Sequence, residues 1–294
     1  MRLLNAFHKK KTFAGISKKY ATLEKSKIVL IPVPYDSTQT WKKGSKNGPQ
    51  AFLSASEHIE LYDIETDSEV YKRGIYLSDP IVNSSISSIK MVNKVYHATK
   101  KYLLKEKFVT LIGGDHSISI GSIRAFGEKY TNLSILHMDA HADLRSKYKN
   151  NPYNHACSMH EASIKYPLIQ IGIRSMDSSE KKYLQKGNVF YMHVIKNNDF
   201  WMQRVIHRLS ENVFLSIDID VFDPSIAPST GTPEPGGLHW YTTLEFLKTV
   251  FQEKKIIGFD IVELLPNKKE SSTDFLVVKL YYKLLSYKYE LINK

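Results

Sequence analysis

The sequence has a single cysteine, Cys157, among its 294 residues. One cysteine excludes an internal disulfide and a cysteine-rich structural zinc site, and it is typical of a protein from a reducing compartment. Long apolar runs are also missing, since none approaches the roughly 20 residues of a membrane helix. The first residues, MRLLNAFHKKK, lack the apolar core of a signal peptide. These absences predict a cytoplasmic protein without membrane contact.

Negative charge is scarce, with 30 acidic against 41 basic residues and a net charge of +11. Such an excess is one mark of nucleic-acid-binding proteins. The basic residues are scattered, however, and form only short clusters such as Lys9–Lys11 and Lys254–Lys255. Most are lysine, whereas arginine is favoured for bidentate contacts to phosphates and bases. A solvated lysine-rich surface is therefore favoured, and nucleic-acid binding with a vestigial metal site stays as an alternative.

Nucleotide-binding motifs are also absent. The glycine-rich segment GGDHSISIG lacks the Lys-Ser/Thr ending of a phosphate-binding loop, and its glycines do not follow the dinucleotide-binding spacing. Cys157 lies two residues after His155, but we expect it to be a small buried side chain rather than a nucleophile.

The chain alternates short apolar runs with amphipathic stretches. Several runs are apolar throughout, as is typical of strands buried on both faces of a parallel sheet. Predicted strands are Lys27–Val33, Phe108–Ile112, Ser134–Met138, Leu168–Ile173, Val189–His193, Val213–Ile219 and Ile256–Ile261. Predicted helices are Pro49–Ile59, Met91–Glu106, Ser119–Lys129, Ser178–Gln185, Trp201–Leu209, Thr243–Gln252 and Asp274–Tyr287. This alternation predicts one three-layer α/β/α domain over residues 1–294, around a mainly parallel sheet.

Three segments place polar side chains at the ends of predicted strands, where ligands gather in open α/β sheets. The candidate residues are Asp115 and His116 in LIGGDHS, Asp139, His141 and Asp143 in HMDAHADL, and Asp218, Asp220 and Asp223 in LSIDIDVFDPS. Residues at positions i, i+2 and i+4 of an extended chain share a face, so the second segment can aim three side chains at one point. Asp223 precedes a proline, and we expect it to be a turn residue.

Charge balance predicts metal ions at this point. The carboxylates of Asp139, Asp143, Asp218 and Asp220 would repel one another unless cations compensated them. Two divalent ions supply the balancing charge. Oxygen ligands with two imidazoles favour Mn²⁺ or a similar hard ion over zinc. A zinc-dependent deacetylase of related fold is a further alternative, but one zinc would not explain four carboxylates.

The segments GGDHS, DAHADL and SIDIDVFDPSIAPSTGTPEPGG resemble, in order, the three metal-binding signatures of the ureohydrolases, the family of arginases and agmatinases. The resemblance extends over nearly the whole chain. It implies an arginase-like fold, a trimer or hexamer, and hydrolysis of a guanidino compound to urea and an amine. The ligands that it implies for two manganese ions are His116, Asp139, His141, Asp143, Asp218 and Asp220.

The same resemblance implies roles for further residues. Glu263 in GFDIVEL would pair with the substrate guanidinium, and Thr232 would line the guanidinium pocket. His155 in NHACSM would carry a proton to the leaving amine, and Asp143 would also orient the attacking water. We further expect Asp115 to orient a metal-bound histidine.

Substrate choice within the family favours agmatine. PYDSTQTWKKGSKNGPQAFLSAS and GIRSMDSSE look like the agmatinase branch. The loop Arg145–His155 lacks the Ser-Gly-Asn segment with which arginases bind the α-carboxylate and α-amine of arginine. Arginase or another guanidino-acid hydrolase remains an alternative, because Arg145, Lys147 and Lys149 offer charges that a carboxylate would attract.

Overall fold

The computed structural model describes residues 12–82, 86–198 and 200–291. Its strands are β1 (Ile28–Val33), β2 (Ile75–Leu77), β3 (Phe108–Gly113), β4 (Leu133–Met138), β5 (Leu168–Ile173), β6 (Val189–Tyr191), β7 (Asn212–Asp218) and β8 (Lys255–Val262). They form one sheet in the order β2-β1-β3-β8-β7-β4-β5-β6. Every neighbouring pair is parallel.

Helices cover both faces of this sheet. They are α1 (Gly48–Ser56), α2 (Ser88–Leu103), α3 (Ser119–Lys129), α4 (His160–Lys165), α5 (Met192–Ile195), α6 (Trp201–Arg208), α7 (Trp240–Glu253) and α8 (Ser272–Glu290). One core cluster packs α1, α6, α7 and α8 against one face of the sheet, and a second packs α2, α3 and α4 against the other. The predicted three-layer α/β/α arrangement around a parallel sheet is confirmed.

Buried strands explain why the apolar runs were informative. β1, β3, β4 and β5 are buried at every position, because helices cover both of their faces. All seven predicted strands occur; Leu168–Ile173 has the predicted bounds, and the ends of the others differ by at most two residues. α3 occurs with the predicted bounds, and α2, α7 and α8 each begin two or three residues earlier than predicted.

Two local predictions were wrong, and some short elements were not predicted. β2 was not predicted, because three residues at a sheet edge carry too little pattern. The strand predicted to continue to His193 ends at Tyr191, where α5 begins. α4 was also missed. The segment predicted as a helix from Ser178 is a 3₁₀ turn, Ser178–Tyr183, capped by the Asp177 and Glu180 side chains.

Sheet order brings distant parts of the chain together. β3, β8, β7 and β4 are the four central strands, so the segments after β3 and β4 lie beside those after β7 and β8. Because the strands are parallel, their carboxyl ends share one edge of the sheet. The described residues contain no helix that is both long and apolar enough to cross a membrane. The N-terminal stretch and the Lys9–Lys11 cluster lie outside the described residues.

Candidate metal centre and substrate pocket

The six predicted ligands converge at the carboxyl edge of the central strands. His116 opens a 3₁₀ turn after β3, Asp139 directly follows β4, and Asp218 is the last residue of β7. Asp220 lies in the turn after β7. All but His141, which is partly exposed, are at most 8% exposed. Burial of so many ionisable groups in one place requires charge compensation.

The first group of ligands surrounds the imidazole of His116. Its Nδ1 lies 3.1 Å from Asp139 Oδ2, 3.3 Å from Asp143 Oδ2 and 3.3 Å from Asp218 Oδ2. On the other side of the ring, Nε2 lies 3.0 Å from Ser216 Oγ, and the Ser216 hydroxyl donates to Asp260 Oδ1 at 2.6 Å. Because the Ser216 hydroxyl donates its proton in the hydrogen bond to Asp260, its oxygen is free to accept a hydrogen bond from His116 Nε2–H. The lone pair of Nδ1 then faces three carboxylates, which is the arrangement that a metal ion fills.

The electrostatics of this group demand positive charge. Burial favours a neutral His116, but the carboxylates of Asp139, Asp143 and Asp218 outweigh it and raise its pKa well above the usual value. Burial, together with the charges of Asp220 and Asp139, raises the pKa of Asp218 well above its usual range. A cation among these oxygens relieves both effects, and imidazole with carboxylate oxygens is a donor set that suits a hard divalent ion.

A second group is centred on His141. Its Nδ1 lies 2.9 Å from Asp220 Oδ2 and 3.5 Å from Asp139 Oδ1. Asp139, His141 and Asp220 together meet the geometry of a group able to hold a metal ion. Asp139 therefore belongs to both groups, with one oxygen directed to each. Thr232 Oγ1 lies 3.4 Å from Asp220 Oδ2, at the edge of the second group.

Glu263 faces the same space from the end of β8. Its Oε1 accepts the backbone N–H of His116 at 2.8 Å, and its Oε2 accepts from Gln39 Nε2 at 2.6 Å. Burial, reinforced by the charge of Asp115, raises the pKa of Glu263 well above its usual value. A buried carboxylate with only neutral donors around it is suited to binding a cationic group.

Two of these carboxylates sit on an unusual backbone. Asp143 has a φ of 54° and Glu263 a φ of 66°, both in the left-handed region that favours glycine. For other residues this conformation costs roughly 1–2 kcal/mol. Hydrogen bonds fix both residues: Met159 N–H donates to Asp143 O at 3.1 Å, and Glu263 N–H donates to Gly114 O at 2.8 Å.

The loop after β1 contributes two residues that we did not predict. Thr38 Oγ1 accepts the backbone N–H of His155 at 2.9 Å and lies 3.2 Å from His155 Nδ1. Thr38 N–H in turn donates to Asp115 Oδ2 at 2.9 Å. Thr38 therefore positions His155, just as Gln39 holds Glu263. β1 ends at the same edge as the other strands, so the strand-end rule, applied to β1 as well, would have found this loop.

Asp115 and Asp223 have structural contacts. The Asp115 carboxylate accepts from Ser117 N–H at 3.1 Å and caps the turn that His116 begins. It makes no hydrogen bond to a histidine ring among the described residues, and the predicted orienting role belongs instead to Ser216. Asp223 accepts from the backbone N–H groups of Ser225, Gly236 and Gly237, which is the turn role expected for it.

Arg174 organises the segment that carries Asp220 and Thr232. Its guanidinium donates to the carbonyl oxygens of Asp220 at 2.6 Å, Glu234 at 2.9 Å and Pro235 at 3.1 Å. Several bonds from one rigid fork fix the path of this segment over the site. A single arginine at the end of β5 carries no sequence pattern that would have predicted this contact.

The groups form the floor of a cavity of about 290 Å³. His155, Thr232 and Glu263 line it together with five of the six predicted ligands, whereas Asp139 lies beneath the surface. Trp41 and Arg145 stand among the outer wall residues. The Arg145 guanidinium lies 3.5 Å from Asp177 and stacks on the Tyr148 ring at 4.9 Å. Lys147 and Lys149 are not among the lining residues.

Known proteins share this architecture and much of this sequence. A model of the Arginase family matches residues 26–286. An N(1)-aminopropylagmatine ureohydrolase of Synechocystis sp. is 36% identical over 270 residues, which cover 88% of each chain. An agmatinase of Pyrococcus horikoshii is 30% identical, covering 86% of this chain and 89% of its own. The crystal structure of the agmatine ureohydrolase of Thermoplasma volcanium superposes with a TM-score of 0.85 at 26% identity, covering 98% of this chain and 99% of that one. The chain belongs to the arginase family of ureohydrolases.

Proposed function

We propose that this protein hydrolyses the guanidino group of agmatine, or of a closely related amine, to urea with the help of two manganese ions. The observation that carries the proposal is the pair of imidazole–carboxylate groups that share Asp139 on the floor of the cavity. Glu263, a buried carboxylate in the cavity wall, offers the counter-charge for a guanidinium.

One ion would be held by the first group and the other by the second. The proposed ligands are His116, Asp139, His141, Asp143, Asp218 and Asp220. When bound, such a pair of ions supplies activation of a water molecule for attack on the guanidinium carbon. The lone pair of His116 Nδ1 among three carboxylates supports the first position, and the contacts of His141 with Asp139 and Asp220 support the second.

Glu263 would bind and orient the substrate. A carboxylate pairs with the planar guanidinium fork in a bidentate way, and its two oxygens are already aligned by His116 N–H and Gln39. The arriving cation would return the pKa of Glu263 toward its ordinary range, so substrate binding and ionisation of Glu263 support each other. Thr232 would close the pocket beside Asp220.

His155 would carry the proton that the leaving amine needs. Its side chain lines the cavity and is held by Thr38, and an imidazole can both accept and donate a proton. Asp143 would orient the attacking water, and Ser158 Oγ holds the Asp143 carboxylate with a hydrogen bond of 2.9 Å.

The outer wall supports an amine rather than an amino acid as substrate. The basic side chains among the lining residues are Lys42 and Arg145, and Arg145 already pairs with Asp177 and lies over the Tyr148 ring. To bind at Arg145, the α-carboxylate of arginine would have to compete with this ion pair, whereas agmatine lacks the carboxylate. This favours agmatine hydrolysis over the arginase alternative.

N(1)-aminopropylagmatine is the second candidate substrate. Four relatives that are 32–36% identical to this chain carry the name of its ureohydrolase, whereas three relatives named agmatinase are 29–30% identical. The added aminopropyl arm would leave the guanidinium bound to Glu263 and reach the outer wall, where its ammonium group would share the partly exposed carboxylate of Asp177 with Arg145.

Urea release from one manganese-loaded preparation tests these assignments. The substrates to compare by kcat/KM are agmatine, N(1)-aminopropylagmatine, arginine, guanidinobutyrate and formimidoylglutamate. We expect the two agmatine-type amines to be hydrolysed most efficiently and arginine poorly. Higher efficiency with arginine would refute the substrate assignment, and no urea from any guanidino compound would refute the activity.

Other proposals concern the whole protein. We propose one domain over residues 1–294, a cytoplasmic location, a trimer or hexamer, and a place in polyamine biosynthesis from arginine. The single continuous sheet supports one domain, and the lone cysteine supports a cytoplasmic location. Metal analysis and light scattering of the purified protein would test the ion count and the oligomer.

A further inference from the structure

A row of four polar residues crosses the sheet directly beneath the candidate metal centre. Gln170 on β5 pairs in register with His137 on β4, His137 with Ser216 on β7, and Ser216 with Asp260 on β8. Each side chain is at most 1% exposed. Ser216 and Asp260 hold the His116 ring, whereas His137 and Gln170 do not contact it through this pair of hydrogen bonds.

The direction of the hydrogen bonds from Gln170 is fixed by a backbone carbonyl. Gln170 Nε2 lies 2.8 Å from Ala142 O, an atom that can only accept. The amide atom at this position must therefore be the nitrogen, and its second N–H points at His137 Nδ1, 3.0 Å away. His137 Nδ1 is then an acceptor, so the ring proton resides on Nε2.

This tautomer decides what His137 does to Asp139. His137 Nε2 lies 2.8 Å from Asp139 Oδ2, and with the proton on Nε2 the ring donates to that oxygen. Asp139 Oδ1 accepts the backbone N–H of His141 at 2.6 Å, so each oxygen of the shared carboxylate has one fixed donor. The orientation of Asp139 between the two groups is set by these donors.

We propose that Gln170 is a positioning residue that acts through His137: it holds His137 in the Nε2–H tautomer, and His137 thereby orients Asp139 for both ions. His137 is close enough to His116 and Asp139 to share a metal ion with them, but a protonated Nε2 cannot be a ligand. The effect on metal affinity rests on the proposed function, whereas the tautomer does not.

Histidine ¹⁵N NMR of the metal-free full-length chain tests the tautomer. Protonated and unprotonated ring nitrogens resonate far apart, and a His137→Gln variant assigns the signals. We expect His137 to carry its proton on Nε2. In a Gln170→Glu variant, the new carboxylate can only accept a hydrogen bond and so favours a proton on Nδ1, and the Nδ1 signal should move to the protonated position. A proton on Nδ1 in the parent chain overturns the proposal.

Manganese titration tests the consequence. Second-sphere partners of ligands typically change metal affinity by roughly 10–100-fold, and we expect a Kd increase in that range for Gln170→Met. Gln185→Met is the matched control. The Gln185 side-chain amide likewise donates two hydrogen bonds, to the carbonyl oxygens of Ser163 and Tyr166, but Gln185 is not among the residues that line the cavity. Its manganese Kd should stay within about twofold of the parent.

The two measurements separate the possible failures. Equal manganese Kd values for Gln170→Met and Gln185→Met refute the positioning role. If Gln170→Met does not fold, Gln170→Glu is titrated in its place. If the parent chain binds no manganese, the proposed function fails, and the NMR result alone then supports or overturns the assignment of Gln170 and His137.

Discussion

The two edges of the central sheet carry opposite charges, and these charges are stabilised in different ways. At the carboxyl edge, the buried carboxylates of Asp139, Asp218 and Asp220 crowd together with few cations near them. At the amino edge, a second cavity of about 480 Å³ is lined by five lysines and two glutamates. The net charge of +11 therefore says little about the site, whose local charge is negative.

The positive charges at the amino edge are stabilised without a bound ligand. Lys107 donates to Ser26 O at 2.7 Å and Lys288 to Ile256 O at 2.7 Å, while Lys25 and Lys255 are exposed. Carbonyl oxygens and water thus solvate these ammonium groups, although burial still lowers the pKa of Lys288. At the carboxyl edge the groups are buried and the neighbours of each carboxylate include other carboxylates, so protonated imidazoles or bound cations have to compensate their charge. The comparison teaches that burial, and not charge density alone, marks the functional end of the sheet.

Removal of the shared carboxylate should have the largest effect. Asp139→Asn takes a charged oxygen from both groups, so we expect manganese content to fall from about two ions per chain and kcat/KM to fall by more than roughly 100-fold. Asp223→Asn is the control, because Asp223 accepts hydrogen bonds within its own turn and is not a proposed ligand, so this variant should keep both ions. Elemental analysis and urea release measure the outcome. Full activity with one zinc per chain would contradict the two-ion proposal.

Substitution of His155, at the same edge, should lower turnover without changing metal binding. His155→Ala removes the proposed proton carrier but no proposed ligand, so kcat should fall by roughly 10²–10⁴-fold with unchanged manganese content. His97→Ala, on the exposed face of α2, should have no effect on either. Unchanged kcat across the working pH range would exclude His155 from the reaction.

At the amino edge, we expect substitution of Lys288 to change the free energy of unfolding and not the activity. This effect should be smaller than those at the carboxyl edge. Burial and the nearby charge of Lys255 lower the pKa of Lys288 to about 8. Above this pH the unfolded chain binds more protons than the folded protein, so the contribution of Lys288 to stability should rise up to a pH of about 10.4. Part of the side chain meets solvent, so we expect a change on the order of 1–2 kcal/mol.

Urea unfolding of Lys288→Met at pH 7 and pH 10 measures this change. The variant should lose the rise with pH, whereas Lys255→Met, which removes an exposed lysine from the same cavity, should keep most of it. Parallel pH dependences for Lys288→Met and the parent chain would contradict the assignment.

The sequence predicted those parts of the fold and site that rest on local pattern. Buried strands such as β5 were visible because coverage on both faces leaves a continuous apolar run. Asp139, His141 and Asp143 were visible because an alternating polar run at a strand end has no ordinary structural explanation. β2 escaped because three edge residues have no period to detect.

What escaped prediction at the site depends on contacts between distant residues. Gln39 meets Glu263 across 224 positions, and Thr38 meets His155 across 117. Both are neutral residues in a loop, where Thr and Gln are common. Gln170 was hidden in a similar way, as one polar residue in an otherwise apolar strand whose neighbour in the sheet only the topology reveals.

The left-handed backbone at Asp143 and Glu263 has a consequence for how this protein can change over evolution. At both positions glycine would relieve the conformational penalty, so a search for stabilising substitutions would favour the loss of the carboxylates on which we propose that activity depends. Most positions in a protein lose stability and function together when they mutate. Here the two oppose each other, and drift without selection for activity would be expected to replace these two acids among the first.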